Sequence, residues 1–233
     1  MRFVLDALDH MLFPRHCYLS GRYLGEENHV VPGIDTNALL HHPPAPPSDD
    51  LGVLLLRHFH ADDLALSAVH ALWSVSVGTT IDHAIHAIKY HGQRTLARNL
   101  GGWLERHPNL SRLAPNTQIV AVPIHAARRR ERGYNQAFLI ASGWCSQHGR
   151  PLLPEGIVTR SRYTLTQTTR GEQDRLTNVA GAFSVRAPDL VLGKTIVLVD
   201  DVLTTGATLN ACATALLEAG AVRVEAATLC AAV

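Results

Sequence analysis

One stretch constrains this chain more than any other: Ile196-Val-Leu-Val-Asp-Asp-Val-Leu-Thr-Thr-Gly-Ala-Thr208. Residues 196–199 are apolar and mostly β-branched, which reads as a short buried strand. Asp200 and Asp201 stand at its end, followed by a small hydroxyl-rich turn of Thr204, Thr205, Gly206, Ala207 and Thr208. Residues 209–219 then change to Ala/Leu-rich helical text, stopped by Gly220. A helix amino terminus leaves N–H groups unpaired and carries partial positive charge, so it favours a phosphate. Gly206 lets the backbone come close, and the hydroxyls of Thr204, Thr205 and Thr208 can donate to phosphate oxygens. No Lys follows the glycine, so a monophosphate suits the turn better than a triphosphate. Asp200 and Asp201 are acceptors for the two hydroxyls of a ribose at the carboxyl end of a strand, where open α/β sheets bind ligands. The plainer alternative is a strand–turn–helix with the aspartates as turn formers and Thr208 as the helix cap. The joint occurrence of the acidic pair and the Thr/Gly turn argues for the ligand site.

The same thirteen residues resemble the binding signature of the type I phosphoribosyltransferases, which hold 5-phosphoribosyl 1-diphosphate (PRPP). The resemblance implies that residues 204–208 grip the 5′-phosphate and that Asp200 and Asp201 meet the ribose diol. It also implies that the two aspartates stabilise the sugar cation during transfer and that Mg²⁺ accompanies PRPP.

A chain of 233 residues allows one large domain, or one domain with an appendage. A formal net charge of +1 implies no general attraction to nucleic acid or membranes. No apolar run approaches the ~20 residues needed to span a bilayer, so no membrane insertion is expected. Asp6 and Asp9 interrupt the first twelve residues and no small-residue cleavage site follows, so these do not read as a signal peptide. Four scattered cysteines form no disulfide framework, which makes the cytoplasm the expected location.

Along the chain, residues 1–12 are apolar at helical spacing and Pro14 ends them. Around Cys17 the text has the feel of a metal knuckle, but Ser20 stands where a second Cys would be, and no metal site is expected. Residues 41–50, with four prolines, read as an extended linker or surface excursion. Residues 51–56 read as a strand or a buried helix turn, and 62–72 are apolar at helical spacing. Residues 80–92 and 94–107 read as two helices joined by Lys89-Tyr-His-Gly92, a plausible cap over a site. Residues 118–123 read as a strand, followed by His125 and a loop crowded with Arg128, Arg129, Arg130 and Arg132, then a helix to about Trp144. That local excess reads as an anion site, for diphosphate or a nucleic-acid backbone, or more plainly as a solvated helix face. Residues 157–162 begin a short strand, and 163–178 are polar without periodicity, the text of either a disordered stretch or a working lid. Phe183 and Val185 begin a return strand, Pro188 and Gly193 flank a hairpin-like turn, and 222–230 form a last strand beside the 196–199 strand. Alternation of strand and helix from residue 118 onward implies a parallel sheet.

Several of these texts together resemble the ComF family of phosphoribosyltransferase-like proteins, linked to competence for DNA uptake. They are Lys89-Tyr-His-Gly92, Val122-Pro-Ile-His125, the run from Arg128 through Arg132 to Gly133-Tyr-Asn-Gln136, Arg162, Thr166-Gln167, Arg175, residues 178–183 and the 196–208 signature. The resemblance implies an α/β fold, a type I phosphoribosyltransferase-like parallel sheet flanked by helices over residues 71–233. Residues 1–70 would be a small N-terminal module, a zinc ribbon that has lost its ligands, with a Pro-rich linker. It implies substrate contacts from Lys89, His125, Arg128, Arg132, Tyr134, Asn135, Gln136, Thr166 and Gln167. It implies PRPP as ligand, with phosphoribosyl transfer and diphosphate release, and the competence machinery as partner. The alternatives are a non-catalytic PRPP-binding adaptor for single-stranded DNA, with Tyr134 stacking a base, and a PRPP-sensing regulator.

Overall fold

A strand buried on both faces carries apolar residues at successive positions, and its two faces then belong to two separate cores. Strand β5 (Thr195–Leu203) does this in the computed structural model, which describes Cys17 and residues 36–160 and 181–232. Val197 and Val199 face one core, together with Trp73, Ile81, Leu100, Ile140 and Trp144. Ile196 and Leu198 face the other, with Leu51, Leu55, Leu209, Cys212 and Leu216. Helices therefore cover both sides of the sheet.

The helices are α1 (Thr36–Leu40), α2 (Ser48–Leu55), α3 (Thr80–Tyr90), α4 (Arg94–Gly102), α5 (Pro108–Ser111), α6 (Ala126–Arg132), α7 (Gln136–His148) and α8 (Ala207–Glu218). The main sheet is built from β1 (Ala68–Val75), β2 (Gln118–Ala121), β5 and β6 (Arg223–Ala232) in the order β1-β6-β5-β2. All three pairings are parallel. The expected parallel sheet flanked by helices is thus what the structure shows. A second, antiparallel pair joins β3 (Val158–Arg160) to β4 (Phe183–Val185).

Residues 62–72 are not helical: a short 3-10 turn at Ala61–Asp63 leads into β1. A doubly buried strand and a buried helix both read as apolar text, so spacing alone misleads there. Residues 51–56 resolve to helix, as part of α2. The arginine-rich segment is not a loop but the seven-residue α6. The hairpin-like turn between Pro188 and Gly193 is a 3-10 turn, Pro188–Leu190, carrying the chain from one sheet to the other. The helix read over 1–12 and the lid read over 163–178 lie outside the described residues.

Both outer edges of the sheet are covered by proline-bearing chain. On β1, Ala45 N–H donates to Leu72 O (3.0 Å) and Ser74 N–H to Pro43 O (3.1 Å). On β2, Ile119 N–H donates to Pro151 O (2.8 Å) and Leu153 N–H to Ile119 O (2.9 Å). A proline has no N–H to extend a ladder, so these segments end the sheet. Leu51 and Leu55 of α2 lie at 0% exposure in the core beneath β1 and α8.

At the end of the sheet where β1 and β6 begin, a polar chain is buried. His70 Nε2 donates to Glu225 Oε2 (3.1 Å), Ser48 Oγ donates to His70 Nδ1 (2.7 Å), and Arg223 Nε holds the other Glu225 oxygen (2.7 Å). The His70 hydrogen bond, working against burial, holds the Glu225 carboxyl below the usual range. His107, whose ring centroid is 5.0 Å from that of His70, is pushed down to about 4, first by burial and then by His70. Its Nδ1 accepts Asn109 N–H (3.3 Å) at the start of α5, which a protonated ring cannot do. Between pH 6.5 and about 4 the unfolded chain takes up a proton on His107 that the folded chain refuses, so stability falls as pH drops through that window. The loss should be about 1–2 kcal/mol, discounted for partial exposure. His107→Asn keeps an acceptor and should flatten that part of the curve. Urea midpoints across the window check this, and parallel curves for the two proteins would exclude His107 as the source.

Candidate functional site

Strand β5 delivers both carboxylates to the carboxyl end of the sheet, but neighbouring residues of a strand face opposite sides. The two aspartates accordingly have different surroundings, and the structure does not bring them together as twin partners of one diol. Asp201 turns toward α3 and α7. It is 5% exposed, and its Oδ2 meets Lys89 Nζ (3.2 Å) and accepts from Gln136 Nε2 (3.2 Å).

The Gly133-Tyr-Asn-Gln136 text builds this arrangement. The Tyr134 hydroxyl donates to Ile88 O, one residue before Lys89, and so ties α3 in place. Tyr134 is buried under the Arg94 guanidinium, 4.8 Å from its ring centroid, so its ring is no exposed stacking platform. Burial raises its phenol above the ordinary range. Asn135 caps α7 by accepting Ala137 N–H (3.1 Å) and donates to Val122 O (3.0 Å), which fixes the helix to the end of β2. Gly143 lies so close to the Arg98 carbonyl of α4 that a side chain there would collide with it. Gln136 is therefore set on Asp201 from a firmly seated helix, and its buried Oε1 has no hydrogen-bond donor among the described residues.

Asp200 turns the other way, toward α8 and the β3–β4 pair. Its Oδ1 accepts Asp201 N–H (2.8 Å). Burial first, and the Asp201 charge second, raise its carboxyl to about 7, against the pull of that N–H, Lys89 and Arg160. Arg160 lies with its guanidinium 5.4 Å from the Phe183 ring centroid. Burial and the nearby Arg128 charge lower its pKa. The Arg128 charge thus acts on Arg160, and the Arg160 charge in turn on Asp200. Alternation along β3 from buried Val158 puts Arg160 on the inward side, a position the sequence analysis does not single out.

Gly206 takes a left-handed conformation, φ +77°, at the start of α8, and a Cβ there would run into Leu55 of α2. The helix begins at Ala207, so Thr208 lies inside the first turn and is not the cap. Asn210 N–H makes its bond to Gly206 O (2.8 Å) and Ala207 N–H donates to Thr205 Oγ1 (3.4 Å), which leaves the N–H groups of Thr208 and Leu209 at the open helix end. Thr204 is exposed and Thr205 buried, its Oγ1 within 3.4 Å of Ala207 N. Asn210 also fixes the base of α8 through Ala65 N–H (2.8 Å) and Asp63 O (2.9 Å).

The arginine cluster divides. Arg128 is half-buried, and its charge is felt by Arg160. Arg129 makes a two-pronged pair with Glu155 (both 2.9 Å). Arg130 is exposed, and Arg132 lies over Tyr90, 5.3 Å from its centroid. His125 caps α6, its Nδ1 accepting Ala127 N–H (3.2 Å). Thr166 and Gln167 lie outside the described residues.

Residues 154–232 match the phosphoribosyl transferase domain. Competence protein F of Haemophilus influenzae is 35% identical over 131 residues, 54% of this chain and 57% of that protein. The DNA utilization protein YhgH of Escherichia coli is 34% identical over 153 residues, 63% of this chain and 65% of that protein. Competence protein ComFC of Bacillus subtilis is 35% identical over 114 residues, 47% of this chain and 43% of that protein. The chain thus spans less than two thirds of these relatives. A solved allosteric regulatory enzyme of purine biosynthesis aligns over 57% of this chain and 25% of its own, at 24% identity and TM-score 0.38.

Proposed function

We propose that the chain is a ComF-type phosphoribosyltransferase-like protein, that it binds PRPP at the carboxyl end of β5 and that it transfers the phosphoribosyl group in a process tied to DNA uptake; its similarity to the phosphoribosyl transferase domain and to competence proteins supports this reading. The observation that carries this is the Asp200–Gly206–α8 arrangement, a carboxylate on a strand end beside an open helix amino terminus. The 5′-phosphate would sit on the first N–H groups of α8 and the hydroxyls of Thr204, Thr205 and Thr208. Asp200 would accept from the ribose hydroxyls. Arg128 and Arg160 would hold the diphosphate. An acceptor lone pair would attack C1, the C1–O bond would break, and diphosphate would leave with the electron pair.

Asp201 is assigned a different role from the shared diol contact. Lys89 and Gln136 hold it, and it fixes the site from behind through the charge and N–H it presents to Asp200. The Gln136 Oε1 is an acceptor for a ligand hydroxyl.

No group of three or more His, Cys, Asp or Glu side chains that could hold a metal occurs among the described residues. The hard oxygen donor Asp200 fits Mg²⁺ that is held largely by the ligand's own oxygens. Bound there, Mg²⁺ would neutralise charge on the leaving diphosphate.

The proposed place of action is the cytoplasm, where free thiols such as Cys145, Cys212 and Cys230 persist. No helix among the described residues is long and apolar enough to cross a membrane.

Millimolar PRPP with Mg²⁺ should raise the melting temperature by several degrees, as expected for ligand well above its Kd. Incubation with a panel of nitrogen bases and amines should then release diphosphate. A shift without release on any acceptor would reduce the function to PRPP binding, and no shift would remove the proposal.

A further inference from the structure

The polar chain at the start of β1 and β6 stands apart from the end of β5. Glu225 lies three residues before Thr228, the β6 residue opposite Asp200, so about 10 Å of strand separates the two places. Ser48 Oγ donates to His70 Nδ1 (2.7 Å), and His70 Nε2 donates to Glu225 Oε2 (3.1 Å). Arg223 Nε holds the other carboxylate oxygen (2.7 Å). The bond to Glu225 keeps the ring proton on Nε2, which leaves Nδ1 as a base aimed at the hydroxyl.

Exposure is graded along this chain. His70 is 2% exposed and Glu225 8%, whereas Ser48 is only half-buried. The base and the acid are shut from water while the hydroxyl can be reached. A buried ionic chain adds little to folding, and apolar residues at 70 and 225 would join β1 to β6 equally well. The helix that carries Ser48 supplies hydrogen-bond donors beside it. Ser48 is the first residue of α2, Pro47 precedes it, and no side chain caps the helix among the described residues. Leu51 N–H bonds to Pro47 O (3.0 Å), so the N–H groups of Asp49 and Asp50 stand ahead of that first helical bond, next to the hydroxyl. Asn109 Nδ2, from α5, donates to Ser48 Oγ (3.3 Å). Such donors suit negative charge that develops on an oxygen close to Ser48.

We infer that Ser48, His70 and Glu225 form a nucleophilic centre that hydrolyses small, uncharged carboxylic esters. Ser48 Oγ attacks the carbonyl carbon, and its proton passes to His70 Nδ1. The carbonyl electron pair moves onto oxygen, where Asp49 N–H and Asn109 Nδ2 receive it. That pair returns to expel the alkoxide, which takes the proton from His70 and leaves as the alcohol. Water, deprotonated by the same nitrogen, then frees the carboxylic acid from Ser48. Glu225 is a positioning residue: it fixes the ring tautomer and steadies the charged ring. Asp49 and Asp50 are exposed carboxylates at the entrance, so anionic esters are repelled.

The test uses the full chain with p-nitrophenyl acetate and with phenylmethylsulfonyl fluoride. Wild type should release p-nitrophenol, and the sulfonyl fluoride should lose fluoride and become bonded to Ser48, as located by peptide mass spectrometry. Ser48→Ala should lower ester turnover about a hundredfold and abolish the label. His70 is faced by Glu225 and by His107, whose ring centroid is 5.0 Å away. Glu225→Gln should therefore slow labelling and carry the acid limb of the rate–pH curve to lower pH, since an amide no longer favours the charged ring. A merely structural Glu225 would leave that limb in place. Absence of label on Ser48 in wild type, or undiminished turnover in a folded Ser48→Ala protein, would overturn the centre; if that variant does not fold, the site of the wild-type label decides. The PRPP response is read separately, at the other end of the sheet, and neither result alters the other.

Discussion

Asp200→Asn should make the ligand-free protein more stable at neutral pH while removing its response to PRPP. The folded state keeps the Asp200 carboxyl protonated up to about 7, through burial and the adjacent Asp201 charge. Below pH 4 the side chain is neutral in both states, and Asp and Asn are equivalent. As pH rises from about 4 to about 7, the unfolded chain releases a proton that the folded chain retains, and wild type loses stability at about 1.4 kcal/mol per unit. Above pH 7 the deficit stays constant. Asn carries no such deficit, so its advantage grows from zero near pH 4 to on the order of a few kcal/mol at pH 7. For a chain of this size that raises Tm by roughly 5 °C or more. The PRPP shift should vanish, because an amide cannot match a carboxylate toward two hydroxyls and Mg²⁺. Thermal scans at several pH values with and without PRPP test both parts. A Tm equal to or below wild type at neutral pH would show that Asp200 is not held at a cost in the folded protein.

Lys89→Met should have the opposite sign. Asp201 is 5% exposed, and its charge is balanced by Lys89 at 3.2 Å. Removing one partner of a buried pair leaves a charge that must be neutralised or tolerated, which costs about 3 kcal/mol or more. The Lys89 side chain keeps 24% of its exposure, so about 2–3 kcal/mol is the expected loss, a fall in Tm of roughly 5–10 °C. The double variant Lys89→Met, Asp201→Asn should recover most of that loss, since the stranded charge is gone. Denaturant midpoints for the two singles and the double give the coupling directly. A single variant within about 0.5 kcal/mol of wild type would mean that the pair contributes nothing to folding.

The parts of this architecture that could be read from sequence are those with one dominant local signal. Residues 196–220 were legible because strand, acidic pair, glycine turn and helix follow each other without interruption. The α3 helix was legible from Ile81, Ile85 and Ile88 on one face. β1 was not, because Val69, Ala71 and Trp73 are buried in a strand whose spacing also fits a helix. In the site, alternation along β5 separates Asp200 from Asp201, yet adjacency in sequence suggested a matched pair. The Tyr134 role depends on a carbonyl 46 residues away, at Ile88, and Arg160 gains its place only through the fold. Such long-range partners leave no trace in local text.

The pairing of β1 with β6 has a consequence for synthesis of the chain. Among the described residues, β1 finds its strand partner in the main sheet 157 residues downstream, Ala68 opposite Glu225. At the usual pace of translation its inner edge waits roughly 10–30 s for β6 to leave the ribosome. Through that interval a run of apolar side chains stays open to other nascent chains, so growth at low temperature or with abundant chaperone should raise the soluble yield.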